Sequence, residues 1–198
     1  MKHGHLLEGV GFRLRPIADH DAEFVVDLRT SSDRSRYLNK ISSSVATQIK
    51  WLEEYYQREN DYYFVIERAT DGRREGLIAL YDVSLPLGEA EWGRWITSPS
   101  SLSAIESVVI VMDFAFNNLS LKRVYSYTVA DNAPVNSFHE SCGFRRVQAQ
   151  AARFTIGGNA YDAIRHECNF LEWATIRKTL VARSDRIARR ISSYDPRR

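Results

Sequence analysis

The chain has 198 residues, 44% hydrophobic and 26% charged, with a formal charge of +2. That size suits one packed core rather than two, no apolar run reaches the roughly eighteen residues of a membrane-spanning helix, and the N-terminal "MKHGHLLEGVGF" lacks the apolar centre of a signal peptide. A cytoplasmic setting is expected, with Cys142 and Cys168 kept as thiols and packed as small hydrophobes, because two cysteines so far apart make no zinc-site spacing.

The charge is unevenly distributed. Residues 171–198 hold eight Lys/Arg against three Asp/Glu, leaving nineteen against twenty-two in the rest. A body without a basic balance argues against a nucleic-acid-binding domain, since phosphate neutralisation needs a basic face on the folded surface.

In chain order, "FRLRPI" alternates apolar and charged residues and is bounded by Pro16, which suits an edge strand. Asp19 is positioned to cap the helix of "ADHDAEFVVDLR", where Phe24, Val25 and Leu28 recur at helical spacing; "TQIKWLEEYYQRE" repeats the pattern with Ile49, Leu52 and Tyr56. Between them "TSSDRSRYLNKISSS" is polar and without period, and reads as a substrate-side loop. "DYYFVIERA" and "EGLIALYDVS" form a hairpin around Asp71 and Gly72, and "EAEWGRWIT" is the next strand. After Pro99 comes the longest helical signal, with Ile105, Val108, Val109, Met112 and Phe116 on one face and Ser103 and Glu106 as a reciprocal capping box. "KRVYSYTVA" is a strand leading into "DNAPVNSFHESCGF", a short helix opened by Pro134 and closed by Gly143, after which Phe144 enters the core. "FRRVQAQAARFTI" and "AYDAIRHECNF" close the body as a hairpin around "GGN". Residues 169–198 read as a basic amphipathic helix with Trp173, Ile176, Leu180, Ile187 and Ile191 on one face. That face docks on its own domain, pairs with a second copy in a homodimer, or lies on an anionic membrane surface without inserting.

This order of elements, and the register Asn132, Val135, Phe138, His139, Glu140, Gly143 and Phe144, resembles the GNAT superfamily of acyl-CoA-dependent N-acyltransferases over residues 11–168. The resemblance implies an α/β (α+β) fold: a central mixed, mostly antiparallel sheet of about seven strands splayed between the fourth and fifth, helices on both faces, and a C-terminal helical extension. It implies acetyl-CoA as co-substrate, a small-molecule amine as acceptor, no nucleic-acid partner, and direct attack in a ternary complex with no metal. The cofactor residues it implies are Trp95, Ile96 and Thr97 on the central strand, Ser101, Leu102, Ser103 and Ala104 in the phosphate loop, and Asn132, Ser137 and Phe138 at the short helix. The phosphate loop departs from the family's glycine-rich pattern, and Glu106 adds a negative charge in the helix turn that would face the anion.

Glu91 resembles the residue that deprotonates the acceptor, with Glu89 and Asp82 as the next candidates. His139 stands where many relatives have Tyr and resembles the acid that protonates the departing thiolate, a step an imidazolium can perform. Cys142 occupies a position the family fills with an aliphatic residue, and direct transfer needs no nucleophilic thiol. On the acceptor side, Arg29, Tyr37, Gln48 and Trp51 resemble the subgroup that acetylates nucleotide-linked amino sugars, as in the pseudaminic acid pathway, and Tyr81 belongs with this wall. Arg29, Arg34 and Arg36 can reach a diphosphate, and Tyr37 or Trp51 can stack on a base or sugar. A protein N-terminus or ribosomal protein is the alternative acceptor, and a non-catalytic module of the same fold is the alternative class.

Overall fold

The computed structural model describes residues 3–30 and 36–193. In chain order these form β1 (Leu7–Glu8), β2 (Phe12–Pro16), α1 (Ala22–Thr30), α2 (Val45–Tyr55), β3 (Tyr62–Arg68), β4 (Arg74–Ser84), β5 (Glu89–Thr97), α3 (Ala104–Asp113), β6 (Arg123–Val129), α4 (Ala133–Ser141), β7 (Arg145–Ile156), β8 (Asn159–Asn169) and α5 (Phe170–Ser193). The alternation read in "FRLRPI" is visible in β2: Phe12 and Leu14 are buried, while the Arg13 and Arg15 side chains donate to Glu67 of β3 at 2.9 and 2.6 Å.

One mixed sheet runs β1-β2-β3-β4-β5-β6-β8-β7, and β5–β6 is its parallel pair. It has one strand more than expected, because the two-residue β1 pairs with β2 through Leu7↔Leu14 and Glu8↔Arg13. On one face, α1 and α2 bury Val25, Leu28, Leu52 and Tyr55 against Tyr63, Val65, Leu77 and Ile96. On the other, Val108, Val111, Met112 and Phe116 join Phe64, Ile78, Leu80 and Trp92, with Trp173 and Leu180 of α5 closing the cluster. The tail helix thus packs onto its own domain, where the Trp173 indole N–H donates to Asp113 at 2.9 Å.

Two helix starts differ from expectation. Asp19 does not cap α1; a 3₁₀ turn over Asp19–Asp21 intervenes, Asp21 accepts the Ala18 N–H at 3.0 Å, and Asp19 accepts the Tyr56 hydroxyl. Nor do Ser103 and Glu106 form a capping box. The Glu106 carboxylate accepts the N–H groups of Val10, Gly11 and Phe12 at 2.5, 2.9 and 3.3 Å, because the β1–β2 turn offers three amides at one point and a carboxylate meets them better than a single helix amide. The reciprocal cap occurs instead at α5, where Asn169 N–H donates to Glu172 at 2.8 Å and Glu172 N–H to the Asn169 side chain at 2.9 Å.

Candidate active site

The site begins where two neighbouring strands part. β5 and β6 pair in parallel at Glu89↔Arg123, Ala90↔Val124 and Glu91↔Tyr125, and no further. Beyond that point β5 keeps its other partner through Trp92↔Leu80, Gly93↔Ala79 and Ile96↔Leu77, while β6 keeps β8 up to Val129↔Ala163. Each strand therefore retains its outer ladder and loses the inner one. Arg94 helps to bend β5: its φ is +47°, a left-handed backbone that costs a non-glycine residue about 1–3 kcal/mol. Its guanidinium holds the bend by a bidentate bond to Asp61 at 2.6 and 2.8 Å and by lying 4.4 Å from the Tyr81 ring centre. At the far end the Asn136 amide donates to the carbonyls of Val129 and Ala130, both at 3.1 Å, tying the end of β6 to α4.

The fork opens into a cavity of about 580 Å³, within the range of small-molecule sites. Its lining brings together Arg29, Tyr37, Gln48, Trp51, Tyr81, Glu91, Trp95, Ile96, Asn132 and His139 from α1, the following loop, α2, β4, β5 and α4. The Ser-rich loop contributes Tyr37 to Ser42 to the same wall; its residues 31–35, including Arg34, lie outside the described residues, and Arg36 packs 5.2 Å from the Tyr37 ring centre. Thr97, Ser101, Leu102, Ser103, Ala104, Ser137 and Phe138 do not line the cavity. Ser103 is fully buried with its hydroxyl 2.7 Å from that of Ser101, and Leu102 is exposed. The charge of Glu106, expected to oppose an anion there, is turned onto the β1–β2 amides.

Glu91 sits at the vertex of the fork, 8% exposed, and accepts the Tyr81 O–H at 2.7 Å. Burial raises its carboxyl above the ordinary range, against the pull of the Tyr81 hydrogen bond and of Arg153, whose guanidinium is 3.6 Å away. The next candidates differ: Glu89 is paired to Arg123, and Asp82 does not line the cavity.

His139 is 3% exposed, stacks on Trp92 at 4.9 Å between ring centres, and has Nδ1 3.0 Å from the Ser126 hydroxyl. Burial, reinforced by neighbouring His166, lowers its pKa to about 3. Such burial disfavours the imidazolium form, and the ring packs on Trp92 and sits within hydrogen-bonding distance of Ser126. Cys142 and Cys168 are buried, with burial pushing their thiols up to about 11 and about 12, which suits inert packing.

Between fork and α4, Trp95 stacks on Phe138 at 4.8 Å, and its buried indole N–H has no hydrogen-bond partner among the described residues. Asn132 caps α4 through its backbone, the carbonyl accepting the Asn136 N–H at 3.0 Å, and its side chain makes no capping bond. An indole donor, a side-chain amide and the inner edge of β5 form a set suited to a peptide-like ligand. Arg94, Asn136, Lys40 and Arg153 escaped the sequence reading. Arg94 follows the "WG" of its strand with no signal of a bend, Asn136 reads as an ordinary helix residue until it meets the end of β6, Lys40 lies in a loop without period, and Arg153 reaches Glu91 from 62 positions away.

An acetyltransferase (GNAT) domain model matches residues 12–145, well over half of the chain. The spermidine N(1)-acetyltransferase of Escherichia coli K12 is 24% identical over 157 residues, covering 77% of this chain and 83% of that protein. The probable N-acetyltransferase YjcK of Bacillus subtilis is 26% identical over 166 residues, covering 77% and 91%. Among solved structures, a GCN5-related N-acetyltransferase from Brucella melitensis superposes with a TM-score of 0.81 at 20% identity, covering 91% of this chain and 85% of that one. The apo form of FdhC, a nucleotide-linked sugar GNAT, gives 0.74 at 24% identity, covering 93% and 98%. With a forked sheet around a buried carboxylate and a family model spanning β2 to the start of β7, the chain belongs to the GNAT acetyltransferases and is an acyl-CoA-dependent N-acetyltransferase.

Proposed function

We propose that the chain moves an acetyl group from acetyl-CoA to a primary amine carried by an anionic small molecule, with a nucleotide-linked amino sugar as the acceptor of best fit. The observation that carries this reading is the end of β5–β6 pairing at Glu91, which leaves the inner edge of β5 facing a cavity with a carboxylate at its apex. Acetyl-CoA supplies the activated acyl carbon. Asn132 and the Trp95 indole, both in the cavity wall, hold its amide-bearing arm together with the unpaired edge of β5.

A primary amine with a pKa near 10.4 arrives mostly as ammonium, so a base must take a proton before the lone pair can attack. Glu91 does this, directly or through one water; its raised pKa brings it nearer the amine's and improves the transfer. Tyr81 fixes the orientation of the carboxylate. The N–H groups of β5 beyond the fork stabilise the oxyanion that forms when nitrogen bonds to the acyl carbon. Collapse breaks the carbon–sulfur bond, and an alkyl thiol with a pKa near 8.5 can depart as thiolate and take its proton from solvent, so neutral His139 need not supply one.

Charge favours the anionic acceptor. Arg29, Lys40 and Arg94 line the cavity, Asp61 neutralises Arg94, and Glu91 is the one carboxylate in the lining among the described residues. A polyamine, the substrate named for the E. coli relative, would bring several positive charges to a wall already positive. Thiol release from acetyl-CoA separates the two: turnover with a nucleotide-linked amino sugar well above that with spermidine or an N-terminal peptide is expected, and preference for spermidine overturns the assignment.

A further inference from the structure

Arg153 belongs to no expected group, yet the fold takes trouble to place it. It lies in an irregular stretch of β7 where pairing jumps from Gln150↔Ala163 to Phe154↔Tyr161, three β7 residues spanning a gap of one on β8. Within it Ala152 is left-handed at φ +48°, the kind of local strain that marks a functional constraint, and Asp162 secures the bulge by accepting the Ala152 N–H at 2.9 Å. The bulge breaks the alternation of the strand and turns the Arg153 side chain inward. There its guanidinium lies 3.5 Å from the Tyr127 ring centre, donates to Gln150 at 3.2 Å, and comes within 3.6 Å of the Glu91 carboxylate.

We propose that Arg153 is a positioning residue for the base: the β7 bulge delivers its charge to the free oxygen of Glu91, keeping that carboxylate ionised and aimed into the cavity. The proposal rests on Glu91 as the base. Tyr81 of β4 holds one carboxylate oxygen at 2.7 Å and Arg153 faces the other. At 3.6 Å the Arg153 contact is too long for a hydrogen bond, so it acts as a field and leaves room for an incoming ammonium. The remaining groups whose fields reach Glu91 are Asp82 of β4, Tyr125 of β6 and Arg165 of β8, and the last leans over Tyr125 at 4.2 Å while pairing with Glu167. Among the described residues Arg153 is therefore the cation closest to the base.

The test compares pH profiles of kcat/KM for wild type, Arg153→Met, Arg153→Lys and Glu91→Gln. Met keeps an unbranched side chain beside Tyr127 while removing the guanidinium that lies over its ring, and with it the charge. Loss of a neighbouring cation raises a carboxyl pKa, so the acidic limb of Arg153→Met moves to higher pH. Activity then falls roughly tenfold below the limb and recovers above it, KM for acetyl-CoA is unchanged, and Lys restores part of the shift. A Met variant with an unmoved limb, or with a loss equal at every pH, overturns the positioning role. A limb still present in Glu91→Gln instead overturns Glu91 as the base, and so identifies which reading has failed.

Discussion

Replacing Glu91 with Gln removes the proposed base while changing little else. Gln still accepts the Tyr81 hydroxyl, a bond of 2.7 Å, and it loses only the loose charge contact with Arg153 at 3.6 Å. Such a contact to a partly exposed arginine contributes about 0–1 kcal/mol, so Tm moves by less than about 4 °C in a chain of this size. The chemical cost is far larger: loss of a positioned general base lowers kcat by about 10²–10⁴-fold, or roughly 3–5 kcal/mol of barrier, with KM for acetyl-CoA unaffected. Burial raises the Glu91 carboxyl, so the acidic limb of the wild-type profile lies above the ordinary carboxylate value of 4.5, with activity lost as pH falls through it. The assay is thiol release at saturating acetyl-CoA across pH 5–10, alongside a melting curve. A Gln variant within threefold of wild type that retains the limb refutes the assignment of the base; a variant that loses activity because it has unfolded is recognised by its melt.

Gly93→Ala tests the packing behind the base, since an added Cβ would stand 2.8 Å from the Tyr81 hydroxyl. Displacing that hydroxyl from Glu91 should lower kcat about tenfold, the value of one hydrogen bond to a charged group, while Tm changes by a few degrees; unchanged kinetics would show that Tyr81 does not orient the base. His139 gives a stability signature. Its native pKa of about 3 lies below the ordinary 6.5, so the unfolded chain binds a proton the folded one refuses, and stability falls as pH drops from about 6.5 toward 3. His139→Gln should flatten that dependence in urea-unfolding midpoints, and an unaltered slope would mean that the ring is not held neutral. The same variant should leave the activity profile without any change in a limb near 6.5.

Much of the fold is legible because it is written in local periodicity. The alternation of "FRLRPI", the helical spacing of Val108, Met112 and Phe116, and the Pro134 to Gly143 bracket each specify one element without reference to any other. The cavity wall of Arg29, Tyr37, Trp51, Tyr81 and Glu91 is likewise drawn from segments named in advance, and the structure adds the fork that brings them to one place. What stayed hidden depends on long-range encounters. Glu106 suits a capping box equally well, and its commitment to amides 94 to 96 positions away follows only once β1 and β2 turn beneath α3. His139 has the spacing of an exposed helix residue until Trp92 and Ser126 close around it. Arg153 sits in a strand of mostly exposed residues, and only the backbone at Ala152 reveals that it points the other way.

The central claim is that the unpaired inner edge of β5 receives the acyl donor's amide arm. Amide hydrogen exchange of the full chain with and without saturating CoA measures this directly, because between Trp92 and Ile96 β5 pairs with β4 on one side and, among the described residues, its ladder with β6 on the other side ends at Glu91. CoA should slow exchange in peptides covering 92–97 and the turn at Asn132, while β2 and β3 exchange as before. Bound CoA that leaves the 92–97 amides unchanged, or protects a different edge of the sheet, would contradict the account.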